Sequence, residues 1–119
     1  MGEQGQSWYV YMVECADGTL YTGIATDPVR RMREHLSGAA PGARYTRSHP
    51  PVALAGLWET DSRASASKAE WQLKQVSRAE KERLLALPAE LALLVGADAP
   101  YEPIPAHVRA EIWAEACAG

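Results

Sequence analysis

Residues 8–35 read WYVYMVECADGTLYTGIATDPVRRMREH, and the order of elements in this stretch decides the fold. Trp8 to Cys15 is apolar and rich in β-branched and aromatic residues, which favour a pleated strand. Ala16-Asp17-Gly18 is a turn signal and Thr19 to Ala25 is a second strand, so the pair predicts a hairpin. Loop length then decides which side chains share a face. A two-residue turn at Asp17-Gly18 pairs Glu14 with Tyr21 and puts Tyr11 and Tyr21 on opposite faces. A three-residue loop with Gly18 left-handed pairs Cys15 with Thr19, Val13 with Tyr21 and Tyr11 with Gly23; both tyrosines then share a face, because side chains alternate along a strand. Gly23 leaves space beside Tyr11. Asp27-Pro28 opens a helix, Asp27 as its cap and Pro28 in its first turn. Val29, Met32 and Leu36 are its expected buried stripe, and Arg31 and His35 stack on one face beside it.

Working outward, residues 37–51 form a Gly/Pro-rich loop carrying Arg44, Tyr45 and Arg47. Val52 to Thr60 reads as a third strand. Ser62 caps a helix running to about Val76, with Ala66, Ala69, Leu73 and Val76 as its apolar stripe. At ~100° per residue Glu70 falls about 40° from Ala66 and about 60° from Leu73, at the edge of the buried face. Ser77 with Glu80 is a capping box that starts another helix. Beyond Leu87-Pro88 the chain is Ala-rich and acidic. Tyr101 to Pro105 reads as a Pro-containing linker, and His107 to Cys117 as a short amphipathic helix. The expected class is therefore α+β: a small three-stranded antiparallel sheet flanked by helices over residues 1–88, with a C-terminal helical extension over 89–119 packed on it or tethered to it.

A chain of 119 residues, 47% apolar and 23% charged, has the bulk properties of an ordinary globule with its own core. Cys15 and Cys117, at opposite ends of the chain, make neither a disulfide framework nor metal-ligand spacing. No apolar run reaches the ~20 residues of a membrane span, and Met1 to Ser7 lacks a signal pattern. A cytoplasmic location follows as the expectation. A net charge of −3 taken alone argues against nucleic acid. The distribution reverses that inference: between residues 30 and 47, Arg30, Arg31, Arg33, Arg44 and Arg47 face only Glu34, and a phosphate backbone responds to local charge. A solvated helix face followed by a charged loop accounts for the same residues.

Chemistry is carried by Tyr11, Tyr21, Arg31, His35 and Glu70. Taken singly, each has a structural explanation: sheet tyrosines, a surface cation, a satisfied histidine. Glu70 differs, because a carboxylate at a stripe edge is costly unless an arginine or a metal ion partners it. Converged on one face, these residue types suit hydrolysis of a phosphodiester. Arg31 offers a fork for phosphate oxygens, Glu70 a ligand for a hard cation, and Tyr11 with His35 a means of orienting water and moving its proton.

The chain resembles the GIY-YIG nucleases, most closely their small stand-alone bacterial members. The resemblance covers roughly residues 8–86. It rests on the stretch quoted above, on GARYTRSHPPVAL and on SRASASKAEWQLKQVSRAEK. The first signature reads Tyr9-Val10-Tyr11 and the second Tyr21-Thr22-Gly23. The resemblance implies a three-stranded sheet flanked by helices and an endonuclease that cuts DNA with one divalent ion, Mg²⁺ or Mn²⁺. Tyr11, Tyr21, Arg31 and His35 are then catalytic, and Glu70 is catalytic and the metal ligand. Arg30, Arg33, Arg44, Tyr45 and Arg47 are expected to contact branched or single-stranded DNA, in a repair or recombination setting. The acidic extension is the expected surface for a protein partner. The alternative is a weakly active or inactive nucleic-acid-binding module that acts with a partner. The chain departs from the family in lacking any Asn; a late Asn near the metal-binding helix has its job shifted here to Gln72, Ser77 or water.

Overall fold

Four residues, Ala16, Asp17, Gly18 and Thr19, separate the first two strands of the computed structural model, which describes residues 6–39, 48–96 and 99–119. Strand β1 (Trp8–Cys15) pairs antiparallel with β2 (Leu20–Ala25), Tyr11 opposite Gly23 and Val13 opposite Tyr21. Gly18 is left-handed (φ 88°), and the amide of Cys15 donates to Thr19 O at 2.9 Å. Of the two registers open to the sequence, this is the one that puts both tyrosines on one face.

Helix α1 (Pro28–Ser37) follows, its Asp27 cap accepting from the Arg30 amide at 3.1 Å. Strand β3 (Pro51–Thr60) lies on the other side of β1. Helix α2 (Arg63–Gln75) begins at Ser62, whose Oγ accepts from the Ser65 amide. Helix α3 (Arg78–Ala86) begins at Ser77, whose Oγ accepts from the Glu80 amide at 3.1 Å. A 3₁₀ turn (Pro88–Glu90), the short α4 (Leu91–Val95), β4 (Glu102–Pro103) and α5 (Ala106–Ala118) complete the chain.

The sheet has four strands in the order β2-β1-β3-β4, where three were expected. The extra strand arises in the segment expected to be a linker. Prolines 103 and 105 hold it extended, so Glu102 and Pro103 pair with Glu59 and Trp58, and the Ile104 amide donates to Leu57 O at 2.9 Å. Tyr101, expected in the linker, is buried and donates its hydroxyl to Ser65 O.

Alternation along β1 divides the core between two faces. Val10 and Met12 pack with Trp58, Ala66, Ala69, Leu73 and Leu84 beneath α2 and α3. Tyr11, Val13 and Cys15 pack with Met32, Leu54, Leu57 and Ala116 beneath α1 and α5. One stripe position differs from expectation. Leu36 is exposed, and His35, one turn after Met32, takes the buried place. Similarly, Val76 caps α2 with extended backbone instead of continuing its stripe. Trp58, Trp71 and Trp113 all read in the sequence as packing residues; Trp58 fills the core, whereas Trp71 is 62% exposed. It projects from the outer side of α2, opposite the face formed by Ala66, Ala69 and Leu73.

Candidate active site

Tyr11 is the centre of the arrangement. Gly23 lies opposite it on β2 and has no side chain, so the phenol ring lies across the neighbouring strand: a Cβ at Gly23 would stand 2.5 Å from Tyr11 Cζ. The hydroxyl ends 2.7 Å from His35 Nε2. The imidazole meets both tyrosines edge-on, with ring centroids 5.6 Å from Tyr11 and 5.3 Å from Tyr21. Gly23→Ala would force the buried ring aside. We expect a loss of about 1–3 kcal/mol in urea denaturation, as for other overpacked sites, and loss of the Tyr11–His35 contact; unchanged stability would show that the ring relocates freely.

Arg31 leaves the outer part of α1 one turn before His35, and its Nη1 lies 3.4 Å from Glu34. Glu70 comes from α2, on the opposite layer, where α2 packs across β1 and β2. Its carboxylate is one-quarter exposed and pairs with Lys74, one turn along the same helix, at 3.2 Å. The expected partner was an arginine or a metal; helical spacing brings a lysine instead. No hydrogen bond joins Glu70 to Tyr11 among the described contacts, but its charge acts on the phenol, as do those of Arg31 and Glu34.

Electrostatics set the protonation states. Burial pushes the Tyr11 hydroxyl far above its ordinary value; Arg31 pulls it down, and Tyr21, Glu70 and Glu34 push it up. Burial pushes the His35 pKa down to about 4, and the neighbouring Arg31 cation adds to the effect. At neutral pH the pair is therefore a neutral phenol against a neutral imidazole. A free histidine titrates near neutrality; His35 is shifted below that range because it is buried and sits beside a cation.

The remaining expected contacts divide. Arg30 is exposed and lies 3.9 Å from Glu34. Arg33 turns to the C-terminal end of α5, its Nη2 donating to Glu115 O at 3.3 Å, where a cation suits the helix dipole. Arg44, Tyr45 and Arg47 lie outside the described residues. Ser77, one substitute for the missing Asn, has its Oγ engaged in the cap of α3.

A lone, part-exposed carboxylate fits a small hard cation that keeps most of its waters. Exchanging the Lys74 partner for such an ion costs little, since an i,i+4 surface pair is worth only about 0.5 kcal/mol. Among the described residues no three His, Cys, Asp or Glu side chains come together, so the site offers a single carboxylate ligand and no multi-ligand cage.

A β-hairpin presenting two tyrosines, an adjoining helix presenting Arg31 and His35, and Glu70 from the opposite layer make up the candidate site. Comparison with known proteins gives the family. The family described as the GIY-YIG catalytic domain matches residues 7–83. A UPF0213 protein of Desulfotalea psychrophila is 52% identical over 79 residues, covering 66% of this chain and 71% of the relative. One from Cupriavidus necator is 45% identical over 84 residues, covering 70% and 89%. The solution structure of the UPF0213 protein BH0048 from Bacillus halodurans is 39% identical, covering 72% of this chain and 93% of that one, with a TM-score of 0.46. The chain belongs to the GIY-YIG family, with the small UPF0213 proteins as relatives. That family's domain is a nuclease domain. Among the described residues no helix is long and apolar enough to cross a membrane.

Proposed function

We propose that this protein is a divalent-metal-dependent endonuclease that hydrolyses DNA phosphodiester bonds, structure-directed or non-specific, in a repair or recombination setting. The observation that carries the reading is the 2.7 Å Tyr11–His35 contact, with Arg31 and Glu70 acting on the same phenol. Glu70 is the residue that would hold Mg²⁺ or Mn²⁺, which supplies Lewis-acid polarisation of the phosphoryl oxygen and relief of charge on the leaving oxygen. Arg31 grips the non-bridging oxygens, whose charge grows in the transition state. Tyr11 orients the attacking water. As the water oxygen bonds to phosphorus and the P–O3′ bond breaks, the water's proton passes to the Tyr11 oxygen while the phenol's own proton moves to His35 Nε2, and the departing O3′ takes a proton from solvent to leave as the 3′ hydroxyl. The phenol stays neutral throughout, so its raised pKa is no obstacle. Burial, and to a lesser degree the Arg31 cation, holds back protonation of His35, and the bound phosphate offsets the Arg31 part. Tyr21, edge-on to the imidazole, positions the phosphate or the water.

The test is a panel of labelled single-stranded, hairpin, flap, junction and linear DNA with and without Mn²⁺. We expect metal-dependent cleavage that Arg31→Ala slows by about 10²-fold or more, as for other lost transition-state donors. Equal rates in the variant and the wild type would remove Arg31 from the reaction.

The Glu70–Lys74 ion pair favours a second reading, because the carboxylate already has a cation partner. In it the chain is a weakly active or inactive nucleic-acid-binding module that works with a partner protein through its acidic extension. Steeply salt-dependent binding without metal-dependent turnover would select it.

A further inference from the structure

Two features near the site are unused by the chemistry above. The first is a groove of about 340 Å³ along β2, lined by Thr19, Leu20, Tyr21 and Thr22 and walled by Lys74, Arg78 and Lys81. Its cations come from the end of α2 and the first turn of α3. A helix N-terminus disfavours positive charge, a cost that the Arg78–Glu82 pair, Nε to Oε2 at 2.9 Å, offsets for Arg78 but that Lys81 adds to. A bound anion would reverse that penalty. Tyr21 lines the groove and also meets His35, so the groove and the candidate active site share a residue of the edge strand β2. The second feature is Trp71, 62% exposed on α2. It precedes Lys74 by one turn of α2, so the indole stands next to the lysine that walls the groove. An indole left in water at a basic groove suits an unstacked base better than a duplex, whose bases are already stacked.

Resting on the nuclease reading, we propose that the substrate is an unpaired strand: its backbone next to the cleaved phosphate lies in the β2 groove against Arg78 and Lys81, and Trp71 stacks on one of its bases. Charge complementarity gives affinity and the indole gives the preference for unpaired over paired DNA.

The test is fluorescence anisotropy of a labelled oligothymidylate and of a blunt hairpin duplex, both in EDTA so that no cleavage intervenes. Trp71→Ala is a surface change, and a melting curve checks that the fold is kept. It should weaken the single strand about tenfold and leave the duplex unchanged. The double variant R78A/K81A should weaken binding and flatten the dependence on salt by about one to two phosphates' worth. Wild-type binding of both probes by both variants would overturn the groove, as would equal loss of strand and duplex in Trp71→Ala for the stacking preference. Mn²⁺-dependent cleavage retained beside such a result would leave the nuclease reading intact. Conversely, loss of strand binding in Trp71→Ala without cleavage under any metal would support the track and overturn the nuclease reading.

Discussion

Glu70→Ala should abolish metal-dependent cleavage, by about 10³-fold or more, while leaving the melting temperature almost unchanged. The two halves of that expectation come from the same position. A single carboxylate holding the ion contributes several kcal/mol of charge stabilisation in the transition state, and each 1.36 kcal/mol is about a factor of ten in rate. Its contribution to folding is small, because the side chain is one-quarter exposed and its partner Lys74 is half exposed. Removing such a pair costs at most about 0.5 kcal/mol. The buried residues of α2 that hold it in place, Ala66, Ala69 and Leu73, are untouched. Cleavage of single-stranded DNA in Mn²⁺, with thermal denaturation in parallel, checks both halves. A variant that still cuts at the wild-type rate would show that Glu70 holds no catalytic ion. A variant that melts far lower would show that the carboxylate has a structural role its contacts do not reveal.

Much of this architecture was legible in local sequence. The Asp27, Ser62 and Ser77 caps, the left-handed Gly18 and the glycine opposite Tyr11 are signals whose physics is complete within a few residues. The site side chains were legible as residue types in order, and the hairpin register, once fixed, put both tyrosines on one face. What escaped depended on contacts between distant segments. β4 exists because β3 has a free edge for a proline-stiffened segment to cover; nothing in residues 101–105 marks that edge. His35 displaced Leu36 from the buried stripe because a hydrogen bond to Tyr11 compensates the imidazole for lost water. Arg33 looked like a phosphate contact until α5 brought its carbonyl end alongside. Trp71 looked like a packing residue because composition says nothing of which helix side an indole takes; its angular distance from Ala66, Ala69 and Leu73 was the available clue.

The burial of His35 carries a second large expectation, in pH. The imidazole is 1% exposed. Burial, reinforced by Arg31, lowers its pKa from 6.5 to about 4. The unfolded chain therefore binds this proton more readily than the folded one, and stability must fall as acid is added. The sign follows directly: the full contribution is present above about pH 6.5, it declines as pH falls towards about 4, and below that both states are protonated and the loss stops growing. The size of the loss is about 3 kcal/mol across the window. Exposed carboxylates whose pKa values are lowered, Asp17 by Thr19 and Glu80 by Arg83, add acid sensitivity of the same sign. A variant separates the contributions, since His35→Gln keeps a polar group near Tyr11 but has no proton to gain. Urea midpoints at pH 7, 5.5 and 4 should then converge: the wild type loses about 3 kcal/mol more than His35→Gln between the ends of the range, whatever the offset at pH 7. Parallel curves would mean that the histidine titrates normally in the folded chain. That result would also restore His35 as a base near neutrality, and the proton transfer from Tyr11 would no longer depend on a bound phosphate to offset Arg31.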